Sequence, residues 1–367
     1  MEEITQMVCA DCGTLNPVGS KYCRFCGAPL SGGEQRADKE GSETESEAQG
    51  IFCRACGARN PVGSRLCQTC GSSLLLEERQ YTLPVGTKLK GGAYTVGKVL
   101  EQGGFVITYK GSDTRLHRVV AIKEFFPGGC IRQGTFVSIA TPSITPAEFE
   151  AMKQRFLQGA KILRLLNHPG IQRVYDAFEE NNTAYIVMEF LEGKPLSRLL
   201  EERGGVTEEV EAVGYILQAA EALEAVHQAG YLHRDINPDN IFVCKDGRVV
   251  LVSFGIAEKY VAGEEMEMKP ILMPAYAPLE QYARRARFGP PLDIYALGAT
   301  LYHLLTGQVP PPAPDRLIGM DLLPPHQLNP KVSRSVSEAV MKAMAIRVEE
   351  RPQTVRAFIE TLRGETG

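Results

Sequence analysis

The chain has 367 residues, with 40 lysines and arginines against 44 aspartates and glutamates, for a formal net charge of −4. That length points to two or three domains, and 44% hydrophobic with 23% charged residues excludes wholesale disorder. The near-neutral balance excludes a general polycation built for nucleic acid or a membrane surface.

The opening residues, Met1-Glu2-Glu3-Ile4, are acidic and form no signal peptide, and the purely apolar runs are as short as Leu74-Leu75-Leu76. A membrane span needs about 20 apolar residues, so a cytoplasmic chain with no membrane segment is expected. Ten cysteines in a reducing compartment then need a reason other than disulfides.

Eight of the ten fall in two copies of one pattern. Cys9-Ala-Asp-Cys12-Gly13, Asn16-Pro17-Val18-Gly19-Ser20 and Cys23-Arg-Phe-Cys26-Gly27 return as Cys53-Arg-Ala-Cys56-Gly57, Asn60-Pro61-Val62-Gly63-Ser64 and Cys67-Gln-Thr-Cys70-Gly71. Residues 9–30 and 53–74 are identical at 12 of 22 positions. Each Cys-x-x-Cys places two thiolates on one turn, and two such turns surround a tetrahedral Zn²⁺ at about 2.3 Å. Modules this small bury no useful core, so the metal would supply their folding energy.

Structural zinc is therefore the first reading, with Cys9, Cys12, Cys23 and Cys26 on one ion and Cys53, Cys56, Cys67 and Cys70 on a second. Redox dithiols and an iron–sulfur cluster are the alternatives. The pattern resembles the double zinc ribbon family. Its expected extents are 7–30 and 51–75, joined by a flexible acidic linker over 31–50 that carries six acids and two bases. Protein contact is the expected role of the ribbons, ahead of nucleic-acid contact or a purely structural one. Cys130 and Cys244 stand alone and read as small core residues.

From about residue 81 the pattern is globular. Strands are expected over 94–100, 105–109, 118–123 and 184–188, a helix over 147–166, and the longest clear helix over 210–229. A small strand-rich half precedes a larger helical one.

Six motifs follow in order. Glu101-Gln-Gly103-Gly104-Phe-Val106 lies between the first two strands, and Val119-Val-Ala121-Ile-Lys123 forms the third. His233-Arg234-Asp235-Ile-Asn237-Pro-Asp-Asn240, Ser253-Phe254-Gly255, Ala277-Pro278-Leu-Glu280 and Asp293-Ile-Tyr-Ala-Leu-Gly298 follow. Over 94–363 this order resembles a protein kinase domain, an α+β fold with a β-rich N-lobe and a larger helical C-lobe. The runs 121–127 and 277–282 look especially like one group of bacterial serine/threonine kinases.

The resemblance implies that Gly103, Ala121, Lys123, Met188, Glu189 and Asn240 contact a nucleotide. It also implies Asp235 as base, Asn240 as a metal ligand, and an Arg351–Glu280 pair. Several positions depart from the family pattern. Glu101 and Val106 replace the first and third glycines of the phosphate loop. Gly159 stands where a glutamate would pair with Lys123, with Gln158 about 100° away around the helix. Asn237 replaces a lysine, and Ser253 replaces the aspartate that holds Mg²⁺.

Between Phe254 and Leu279 there is no Ser or Thr. Tyr260 and Tyr276 are the candidate phosphorylation sites, and Glu264, Glu265 and Glu267 read as a solvated acidic loop. The expected function is a signalling pseudokinase acting as scaffold or allosteric partner for other proteins, with two structural zinc ions. The alternatives are an active kinase with a divergent metal site, and a nucleotide sensor that does not turn over. ATP and Mg²⁺ are left open as ligands.

Overall fold

A computed structural model describes residues 81–141, 144–269 and 272–364, together with the backbone of four short strands ahead of them. The chain divides into two units, residues 1–81 and 82–367. In the first, Gln6–Val8 pairs with Leu15–Pro17, and Ile51–Phe52 with Arg59–Asn60. Met7 opposite Asn16 and Val8 opposite Leu15 recur 44 residues later as Ile51 opposite Asn60 and Phe52 opposite Arg59. The sequence repeat is thus a repeat of strand register. The eight proposed zinc ligands and the 31–50 linker lie outside the described residues.

The second unit begins with antiparallel strands β1 (Lys88–Leu89), β2 (Tyr94–Gln102), β3 (Val106–Asp113) and β4 (Arg118–Phe125). A hairpin follows, β5 (Cys130–Gln133) and β6 (Phe136–Ile139), which the sequence pattern did not mark. Helix α1 (Pro146–Leu165) opens with a capping box in which Thr145 and Glu148 satisfy each other's backbone N–H groups. Strands β7 (Val174–Glu180) and β8 (Thr183–Glu189) complete a six-stranded sheet of order β7-β8-β4-β3-β2-β1.

Alternation along β4 sets the two faces of this sheet. Ala121 and Lys123 point one way; Ile122 and Glu124 point the other. Glu124 is fully buried and accepts hydrogen bonds from the hydroxyls of Tyr109 (2.8 Å) and Tyr185 (2.9 Å), and from Arg132 Nη2 of the hairpin (2.6 Å). A carboxylate in that position is tolerable because every partner donates to it. Through Arg132 the network also ties the β5–β6 hairpin to the sheet.

The larger lobe is built on α3 (Glu209–Gln228) and α4 (Pro291–Thr306), with α2 (Leu196–Glu202) bridging from β8. Helix α4 is buried on nearly all sides, which its composition anticipates: it is apolar all round. Ala212, Ala219, Ala220 and Ala222 keep α3 slender enough to lie within the same core. The lobe is not wholly helical. Residues 193–195, Ile241–Cys244 (β9) and Val249–Leu251 (β10) form a three-stranded sheet that carries the loops of the cleft. Helices α5 (Arg334–Ala343) and α6 (Val355–Arg363) close the far side. Cys130 and Cys244 are buried free thiols, as expected of small core residues. Among the described residues no helix is long and apolar enough to cross a membrane.

Replacing Arg132 by Met would keep the volume and strip Glu124 of its counter-charge. The expected cost is about 3–5 kcal/mol of unfolding free energy, as for breaking a buried ion pair, measured by urea denaturation. A loss below about 1 kcal/mol would mean that the two tyrosines carry Glu124 alone.

Candidate nucleotide cleft

A cleft of about 740 Å³ opens between the two lobes, lined among others by Leu100, Ala121, Leu191, Phe242 and Val252. Its size and apolar walls suit a ligand of nucleoside dimensions. Of the residues singled out by sequence, Glu101, Ala121, Lys123, Asn240 and Ser253 line it. Gly103, Val106, Met188, Glu189, Asp235, Asn237 and Gly159 are not on its wall, although Asp235 and Asn237 bond to residues around it.

The glycine turn is tighter than its sequence suggests. Glu101 and Gln102 belong to β2 and Val106 to β3, leaving Gly103–Phe105 as the turn. Gly103 N donates to Val106 O at 2.9 Å. Phe126 N donates to Phe105 O and Gly128 N to Gly104 O, so the tip is fastened to the end of β4. Glu101 and Val106 therefore act as strand residues, whose side chains are set by strand register.

Lys123 reaches the cleft from β4. Burial pushes its ammonium below the usual lysine range, and the Glu101 carboxylate opposes that shift. Helix α1 supplies no partner. An ideal Cβ on Gly159 would lie 2.7 Å from Phe254 O, 3.2 Å from Phe254 C and 3.4 Å from Gly255 Cα. In this arrangement the position opposite the Ser253-Phe254-Gly255 segment has no space for a side chain. Gln158 faces solvent instead.

Ser253 itself has φ 65°, and Arg234 φ 67°, in the left-handed region that costs an L-residue roughly 1 kcal/mol. Both positions are held from outside. His233 Nε2 bonds to Val252 O (3.0 Å), and its ring packs on Phe254 at 4.5 Å between centroids. The fully buried Asp293 of α4 accepts from the backbone N–H of His233 (2.9 Å) and Arg234 (2.7 Å) and contacts His227 Nε2 at 2.8 Å. Burial works against that carboxylate, yet the His227 bond and these amides hold it below the usual range. Arg234 donates to Glu258 (2.6 Å) and to Lys269 O (2.6 Å), holding two parts of the segment after Gly255.

Asp235 sits between two amides. Asn240 Nδ2 donates to its Oδ2 at 2.8 Å, and Asn237 Nδ2 to its Oδ1 at 3.0 Å. Asn237 Oδ1 also accepts from Asp239 N, capping the turn 238–240. Burial pushes the Asp235 carboxyl up to about 6, against the pull of the two amides, and no cation stands at 237 to reverse it.

The donor set for a hard divalent cation is incomplete at one position. Mg²⁺ takes oxygen ligands with carboxylates among them; position 253 supplies a neutral hydroxyl, while Asn240, bonded to Asp235 through Nδ2, keeps its Oδ1 for a metal. Among the described residues no cluster of three metal-ligating side chains exists. The apolar part of the cleft fits a nucleoside, whereas position 253 offers a metal no carboxylate.

The sequence reading missed Thr108, Gln172, Phe190 and Leu191, which also line the cleft. Strand alternation from Lys123 would have found Thr108. Gln172, a polar residue within Gly170-Ile-Gln-Arg-Val174, is 6% exposed and donates to Glu189 O at 2.9 Å. Tyr276 changes role: it is buried and bonded to His303 Nδ1 at 2.8 Å, so it is not an accessible phosphorylation site. Of the acidic loop residues, Glu267 pairs with Arg284 (2.8 Å) and Glu265 with Arg285 (3.5 Å). Arg351 meets Glu280 through two bonds of 2.7 and 3.0 Å, as the resemblance implied.

Comparison with known proteins places these features. The protein kinase domain model matches residues 94–360, and the double zinc ribbon model residues 9–71. The chain belongs to the protein kinase family. A probable serine/threonine-protein kinase of Clostridium perfringens is 29% identical over 284 residues, covering 75% of this chain and 38% of that protein. Serine/threonine-protein kinase PknB of Mycobacterium tuberculosis is 31% identical over 274 residues, 71% of this chain and 41% of that one. The chain thus spans about two fifths of the length of these curated relatives. A solved structure titled PpkA-294 apo form superimposes with a TM-score of 0.68 at 30% identity, covering 77% of this chain and 99% of its own.

Two outcomes check this kinase-family site. In an open helix, Gly→Ala stabilises by about 1 kcal/mol; at Gly159 the Cβ meets backbone, so Gly159→Ala is expected to destabilise by about 1–3 kcal/mol in thermal unfolding. For Asp235, the folded chain holds its proton to higher pH than the unfolded one. Its contribution to stability is therefore greatest below about pH 4 and is lost as pH rises through about 6. Relative to Asp235→Asn, the wild-type chain should lose up to about 3 kcal/mol between those limits.

Proposed function

We propose that this chain is a pseudokinase: a protein kinase fold with little or no phosphoryl transfer that works through binding, as a scaffold or allosteric partner for other proteins. The observation that carries the reading is the contact at Gly159. The helix position that would hold a carboxylate for Lys123 lies against the backbone of Phe254, and the neighbouring metal position is a serine. Phosphoryl transfer depends on positioned phosphates and on metal charge, and each lost electrostatic group costs about 10²–10³ in rate. The two ribbons would each hold a structural zinc ion through four cysteines and present a surface to a protein partner.

A second reading has one observation in its favour. Asp235 and Asn240 remain bonded to each other, and an active serine/threonine kinase with a divergent metal site would use them.

Phosphate transfer from Mg–ATP or Mn–ATP to a panel of protein substrates separates the two, with Asp235→Asn as control. The expected result is turnover at least about 10²-fold below the ~1–100 s⁻¹ of kinases, unchanged in the control. Turnover within that range, abolished by Asp235→Asn, would establish the active enzyme instead.

A further inference from the structure

Strand register aligns three cleft residues. Glu101 of β2 stands opposite Thr108 of β3, and Thr108 stands opposite Lys123 of β4. Directly paired residues of antiparallel strands share a face and lie about 5 Å apart at Cβ. Glu101, Thr108 and Lys123 thus form one transverse row, and all three line the cleft. The two charged side chains start about 10 Å apart and are long enough to converge above the short threonine between them.

Other charged side chains lining the cleft are engaged elsewhere, while Asp239 lies beside Asn240. Lys110 Nζ lies 4.7 Å over the Phe190 ring, Arg198 pairs with Glu201 at 2.9 Å, and Glu192 lies 3.8 Å from Lys245. Gly159 removes α1 as a source of charge. We propose that Glu101 is the counter-charge of Lys123, supplied from β2 instead of α1, and that it makes the cleft select nucleosides over nucleoside triphosphates. The selectivity rests on the nucleotide-cleft reading above; the ion pair does not.

The physical reason is competition for one ammonium. A triphosphate drawn to Lys123 meets the Glu101 carboxylate in the same row, so like charges repel at the mouth of the cleft. An uncharged nucleoside fills the apolar end of the cleft without that repulsion. Glu101 is thereby a positioning and specificity-determining residue, acting on ligands through Lys123 as well as directly.

The test uses the full chain and Glu101→Gln, an isosteric change at an exposed strand position. In the first arm, trace acetylation of Lys123 by acetic anhydride is followed across pH by mass spectrometry. Removing the carboxylate should lower the titration midpoint by about one pH unit; an unmoved midpoint overturns the ion pair. In the second arm, adenosine and metal-free ATP are titrated calorimetrically. Glu101→Gln should tighten ATP about tenfold and leave adenosine unchanged. An unchanged ratio of the two affinities overturns the selectivity. If neither ligand binds either protein, the selectivity falls together with the nucleotide reading, and the labelling midpoint alone decides the ion pair.

Discussion

Two successive residues of β4 divide the smaller lobe between its tasks. Strand geometry sends Lys123 into the cleft and Glu124 to the opposite face, and each then needs an answer to its burial. Glu124 has one in full: two tyrosyl hydroxyls and Arg132, from two other strands of the sheet and from the hairpin. The hairpin is held to the sheet by this ion pair together with the buried Cys130 and Val137 and the bonds with Asn181 and Asn182. Lys123 has no such set of donors and acceptors. Its nearest influence is a carboxylate two strands away in the same row. The same sheet is therefore closed on its back and electrostatically unfinished on its front.

The unfinished front and the close approach of α1 depend on each other. A helix bearing a glutamate at position 159 would have to stand off from Phe254 to make room for the side chain; with glycine there, Cα can approach the backbone of the 253–255 segment. Ser253 keeps a left-handed backbone because His233, Phe254 and Asp293 fix the residues on either side of the cleft floor. The two departures from the family pattern, distant in sequence, thus lie in one neighbourhood: Gly159 packs on the backbone of Phe254, the residue after Ser253.

Much of this was legible before any coordinates. The ordered motifs fixed the fold, and periodicity placed α1 and α3 within a residue or two of their ends. The correspondence of Gly159 with the missing glutamate followed from counting back from Asn167-His168-Pro169. What could not be read depends on pairing across strands. The sequence gives no register, so Glu101 looked like a turn residue when it is a strand residue in line with Lys123. The β5–β6 hairpin was not marked, its strands being only four residues each, and its contact Arg132 to Glu124 crosses from hairpin to sheet. Tyr276 looked available because a local pattern carries no information on burial by α4.

The retained Asp235 and Asn240 also have a structural role. The Asn240 side chain donates to both the carboxylate and the main-chain carbonyl of Asp235, and the Asn240 main-chain carbonyl accepts from Val252 N. Asn237 repeats the pattern from the other side and caps the turn between them. These bonds close the loop on itself and join it to the residue preceding Ser253. Replacing either amide would strip one oxygen of a part-buried carboxylate of its donor, where neutralisation already lies near pH 6. A chain without phosphoryl transfer would still lose stability by discarding them. Their retention is therefore explained by the structural cost of losing these bonds and does not by itself decide whether the cleft transfers phosphate.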